Sequence, residues 1–153
     1  MRVRREIVTG ETHYVRGRRY RLDVIEDTPS VHLRPKARLK QRVRPGSSRE
    51  QRENHLNQWY WRMLREHIRE LVTKWEPKVG VRVAGWGIRK MKTRWGSCNA
   101  RARRIWINLE LAKKPVACLE FIVVHEMVTC WNGITTTDSR HMWIDSCLNG
   151  APR

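Results

Sequence analysis

With 153 residues, 40% of them apolar and eight of them tryptophan, the chain can build one domain with a core and is too short for two. This composition excludes a disordered segment, and no apolar run approaches the ~18 residues of a membrane span. Its formal charge of +17 attracts polyanions, which leaves salt-sensitive, non-specific nucleic-acid binding open.

The charge is uneven, because only Arg140 and Arg153 of the 32 Lys and Arg lie in the last 25 residues. Arg2, Arg4 and Arg5 follow Met1 with no apolar stretch after them, so no secretory leader is read and a cytoplasmic protein is expected. Cys98, Cys118, Cys130 and Cys147 show no CxxC pairing and are expected to be reduced and mostly buried.

The first 45 residues read as β. Tyr14-Val15, Tyr20 to Val24 and Val31 to Leu33 alternate in part, with turn residues between them. Pro45-Gly46-Ser47-Ser48 is a break and a helix start, with Ser47 or Ser48 as cap and Glu50 in the first turn. Leu56, Trp59, Tyr60, Met63, Leu64, Ile68, Leu71, Val72 and Trp75 then recur at three- and four-residue steps. That spacing predicts a long amphipathic helix ending near Pro77 and Gly80, its aromatic stripe being core.

β character returns in Val81-Arg82-Val83, Ile88 to Met91 and Ile105 to Asn108. The polar stretch from Gly96 to Arg104 makes the last two a predicted hairpin. Pro115 suits the first turn of a second helix, which buries Val116, Leu119, Ile122, Val123 and Met127 and carries His125-Glu126. After Val128 the helical period is lost in a stretch with Gly133 and the run Thr135-Thr136-Thr137.

His125-Glu126 opens the pattern by which two histidines one helical turn apart hold Zn²⁺ and a glutamate serves its bound water. The metal lowers the pKa of that water to ~7, and the glutamate takes its proton as the water attacks a peptide carbonyl. Here the fifth letter is Thr129. Taken alone, a His-Glu pair is better read as an ordinary surface or core histidine.

The surroundings add a resemblance. Met91 to Asn99, with Trp95-Gly96-Ser97-Cys98, resembles the tryptophan-glycine-serine-cysteine hairpin of YgjP-like metallopeptidases. Ile105 to Ala112 is similar to their second hairpin strand, and Leu119 to Val128 to the start of their active-site helix. The order and spacing of all three match, over roughly Glu6 to Val128. The resemblance implies an α+β, zincin-like fold: N-terminal β-segments, a long amphipathic helix, a β-hairpin, then the active-site helix. It also implies a zinc-dependent peptidase acting on a peptide or protein substrate, related to SprT-like domains, with upstream β-structure missing before Met1.

Carried over residue by residue, the resemblance makes His125 the first of three histidine ligands and Glu126 the catalytic base and acid. The second and third ligands fall at Thr129 and Thr135, and threonine is a poor ligand for Zn²⁺. Residues 1–128 are therefore expected to be the metallopeptidase domain and residues 129–153 an aberrant tail, with activity impaired or absent.

One base explains the tail. With a C added before the codon for Thr129, a permitted back-translation puts histidine at positions 129 and 135. Some outcomes are forced: Trp131-Asn132 gives Glu, Met142-Trp143 gives Val and Trp143-Ile144 gives Asp. A frameshift at codon 129 is the expectation; a natural variant that lost its zinc site is the alternative. The competing functional reading is a basic nucleic-acid-binding module, with Arg101, Arg103 and Arg104 flanking Trp95 and Trp106, set against a plain solvated basic face.

Overall fold

The computed structural model describes residues 6–132. The N-terminal part forms β1 (Thr12–Val15), β2 (Arg18–Glu26), β3 (Ser30–Arg34) and β4 (Arg38–Val43). They make one sheet in the order β1-β2-β4-β3. The hairpins β1/β2 and β3/β4 are antiparallel, whereas β2 and β4 pair in parallel from Arg21↔Arg38 to Glu26↔Val43. The fourth strand is absent from the sequence reading. Its sequence RLKQRV carries three cations and a glutamine, yet Leu39, Gln41 and Val43 alternate onto the buried face. Gln41 is fully buried, and its amide N–H donates to the carbonyl of Arg52 at 2.9 Å.

α1 runs from Arg49 to Val79. Ser48 caps it as expected: its hydroxyl accepts from the Gln51 backbone N–H, and the Gln51 side chain accepts from the Ser48 N–H. Pro77 lies within the last turn, and Gly80 closes the helix at φ 79°. Leu56, Tyr60, Leu64, Ile68, Leu71 and Val72 form its buried stripe, as their spacing predicts. The Tyr60 hydroxyl donates to the carbonyl of Tyr14 at 2.7 Å, tying the helix to the first sheet.

The second sheet comprises β5 (Gly85–Arg89), β6 (Gly96–Asn99) and β7 (Arg104–Asn108), in the order β5-β7-β6. The expected hairpin is thereby corrected. β7 turns back on β6, while the Ile88 segment lies parallel to β7 on its other side. Val81 to Val83 is connecting chain and not a strand. Alternation gave each segment its faces, but the partner was decided by the loop of residues 90–95, long enough to let β6 take the antiparallel place. Asn108 fixes that loop, with its amide donating to the carbonyls of Met91 (2.9 Å) and Arg94 (2.8 Å).

A short 3-10 helix, Leu109–Lys113, leads to α2 (Val116–Asn132). The β1/β2 turn reaches this segment, with the N–H groups of Arg16 and Gly17 donating to the carbonyls of Ala112 and Lys113. One core runs through both sheets and both helices, from Leu22 and Leu39 through Leu64 and Ile68 to Ile107 and Met127. The architecture is α+β. Among the described residues no helix is long and apolar enough to cross a membrane. Cys98 and Cys130 are free, but Cys118 is disulfide-bonded, against the expectation of a free thiol.

The helices are clamped at Glu120. Its carboxylate accepts from Lys74 Nζ (2.9 Å) and from the Trp75 indole N–H (2.8 Å). These hydrogen bonds hold its pKa below the ordinary value, helped by the charges of Lys74 and Lys78 and opposed by burial. A depressed carboxylate stabilises above its unfolded pKa, and loses that contribution as pH falls through the lower folded value. Thermal melts from about pH 5 downward should therefore drop less steeply for Glu120→Gln than for the parent chain. Parallel slopes would show that the clamp contributes nothing.

Candidate metal centre

α2 places His125 and Glu126 against the second sheet. Ile122, Val123 and Met127 are buried on the same helix, which anchors it to the core under β6 and β7. His125 is half-buried and stacks on Phe121 one turn earlier, with centroids 6.0 Å apart and planes at 22°. Glu126 is only 2% exposed. Its carboxylate lies under Gly96 of β6, where an added β-carbon would stand 3.0 Å from Glu126 Oε2 and 2.8 Å from Ile122 Cγ2. Glycine at 96 is thus a requirement of close approach between strand and helix.

Two thiols complete the surroundings. Cys98 is opposite the buried Ile105 in the β6/β7 ladder and so faces α2. Its thiol makes side-chain hydrogen bonds with Cys130 and Thr129, and the Cys130 thiol donates to the carbonyl of Asn99 at 3.5 Å. Burial raises the Cys98 pKa most, then the Cys130 hydrogen bond and the charges of Cys130 and Glu126, to about 12 against the opposing Thr129 bond. Cys98 is therefore a neutral thiol at physiological pH. The sequence reading left both cysteines aside as structural. Cys130 lies one turn after Glu126, so continuing the helical period would have placed it beside the site.

The family model described as the YgjP-like metallopeptidase domain matches residues 1–130. This chain belongs to the YgjP-like family. Comparison with curated proteins gives no match, and comparison with solved structures gives none either. The family makes the chain a member of a metallopeptidase group. The residues at this YgjP-like site can then be set against the metal that such an enzyme requires.

They do not fit. One turn after His125, where the resemblance puts the second ligand, stands Thr129, whose hydroxyl donates to the Glu126 carbonyl at 3.2 Å. The helix itself runs on through residues 129–132, beyond the break at Val128 that the sequence suggested. Position 135 lies outside the described residues. Among the described residues no group of three or more His, Cys, Asp or Glu side chains could hold a metal. A half-buried His125 and a buried Glu126 thus sit side by side on α2 of a YgjP-like scaffold, without a described ligand set around them.

Proposed function

We propose that this chain is a YgjP-like peptidase scaffold whose zinc site is incomplete, and that its hydrolytic activity is impaired or absent. In that reading zinc is the family's metal, and peptides or proteins are its substrates. His125 is the residue that would contribute the first ligand, and Glu126 the one that would act as base. The observation carrying the proposal is Thr129, a hydroxyl engaged with the helix backbone at the place where an imidazole is required. Among the described residues no set around His125 and Glu126 would hold the metal that the reaction uses.

The origin proposed for the defect is a one-base deletion at codon 129, with residues 129–153 read in the wrong frame. Two facts support it: the loss of basic residues after position 128, and a family match that ends at residue 130. The nucleotide sequence tests it directly. Codons 128–135 should encode histidine at 129 and 135 once a base is inserted. If they cannot, the frameshift is wrong and the chain is a natural variant.

A further inference from the structure

The second sheet has an outer face that the peptidase reading does not use. Between Glu76 and Glu110 there are 33 residues with nine Lys or Arg and no Asp or Glu. Of the cations between Arg82 and Arg104, none has a carboxylate within ion-pair distance among the described residues. A patch of this size without counter-charge repels itself, and bound anions relieve that repulsion.

The strands arrange part of this charge. In β7, Ile105 and Ile107 are buried, so alternation sends Arg104 and Trp106 to the opposite face. Their neighbours in β5 are Gly85 and Gly87. A β-carbon at Gly87 would collide with the Trp106 ring, and one at Gly85 would stand 2.6 Å from Arg104 Nη1. The indole and the guanidinium therefore lie flat across β5. Arg89, two residues beyond Gly87, brings its guanidinium to 3.7 Å from the Trp106 centroid, and Arg104 stands at 4.6 Å. Both cations are held by one ring, within about 8 Å of each other.

We infer that this outer face of the β5-β7-β6 sheet binds single-stranded nucleic acid through its phosphate backbone. Holding the guanidiniums on the indole removes much of the side-chain entropy that phosphate binding would otherwise cost. The planar fork matches phosphate oxygens in pairs, and the outward plane of Arg89, which is exposed, can take a stacked base. A strand with a charge every ~3.4 Å suits the two guanidiniums better than a compact anion does.

The test uses the full chain and a fluorescein-labelled 20-mer of oligothymidylate, followed by anisotropy from 20 to 300 mM salt. The double variant Arg89→Ala/Arg104→Ala should bind about tenfold more weakly, with the salt slope reduced by about 1.4. A control of equal charge, Arg62→Ala/Arg69→Ala on the exposed side of α1, should change affinity by less than about twofold. Arg89→Lys/Arg104→Lys keeps the charge and removes the planar fork, and should fall between them even if the alanine pair folds poorly. Equal losses in the first two variants would reduce the effect to bulk charge and overturn the assignment. So would no binding at 20 mM salt, or tighter binding of a polyglutamate peptide.

Discussion

Zinc analysis of the purified chain should find well under one metal per molecule, and a chelator should leave its melting temperature unchanged. A structural or catalytic zinc site needs three or four good donors, and its binding free energy is part of the folding free energy when such a site exists. Here the position one turn after His125 holds the Thr129 hydroxyl, already donating to the Glu126 carbonyl. The chain with the missing base restored should hold close to one zinc. It should gain about 2.7 kcal/mol of stability at a free zinc concentration 100 times its Kd. Glu126→Gln in that restored chain should keep the metal while peptide hydrolysis falls about 10²- to 10⁴-fold. Stoichiometric, chelator-resistant zinc in the chain as it stands would overturn the impaired reading.

The largest effect on stability is expected at a residue with no part in chemistry. Asn108 is 3% exposed. Its amide donates to Met91 and Arg94 carbonyls, and its Oδ1 accepts from the N–H groups of Glu110 (3.1 Å) and Met91 (3.4 Å). Asn108→Ala deletes all four hydrogen bonds and leaves their partners beside an apolar methyl. At about 1 kcal/mol net per bond, with a further penalty for any partner kept dry, the loss should be about 3–4 kcal/mol. That corresponds to a fall of roughly 10 °C in Tm for a domain of this size. Asn108→Asp should not rescue it, because a carboxylate cannot donate to two carbonyls. A loss below about 1 kcal/mol would mean that water replaces the amide. Since this knot sets where β6 begins, it also holds Gly96 over Glu126.

Much of this was legible beforehand, for physical reasons that differ by element. Ser48, the apolar stripe and Gly80 each report a local free-energy preference, so α1 could be read almost to its ends. β4 could not, because Arg38, Lys40 and Arg42 dominate its composition while only Leu39, Gln41 and Val43 face inward. Strand partners were misjudged where they depend on distant chain, as in the parallel pairing of Gly85–Arg89 with Arg104–Asn108. At the site, His125 and Glu126 could be named from two letters and their setting. The nearness of Cys98 to Cys130 could not, since it joins a strand to a helix 32 positions away. The end of α2 was placed too early because Thr129 and Cys130 read as poor helix residues, whereas burial of Cys130 outweighs propensity.

The strand order has one more consequence, for the timing of assembly. In β2-β4-β3 and again in β5-β7-β6, the last of three strands in sequence occupies the middle of the group. A chain made from its N-terminus onward presents two outer strands that cannot pair with each other, then the strand that bridges them. Each group should stay open until residue 43 or residue 108 has left the ribosome, and then close in one step. Stalled nascent chains cut just before those points should be protease-sensitive throughout the group, and chains a few residues longer should be protected. Synthesis, like the zinc chemistry, would then turn on what arrives last.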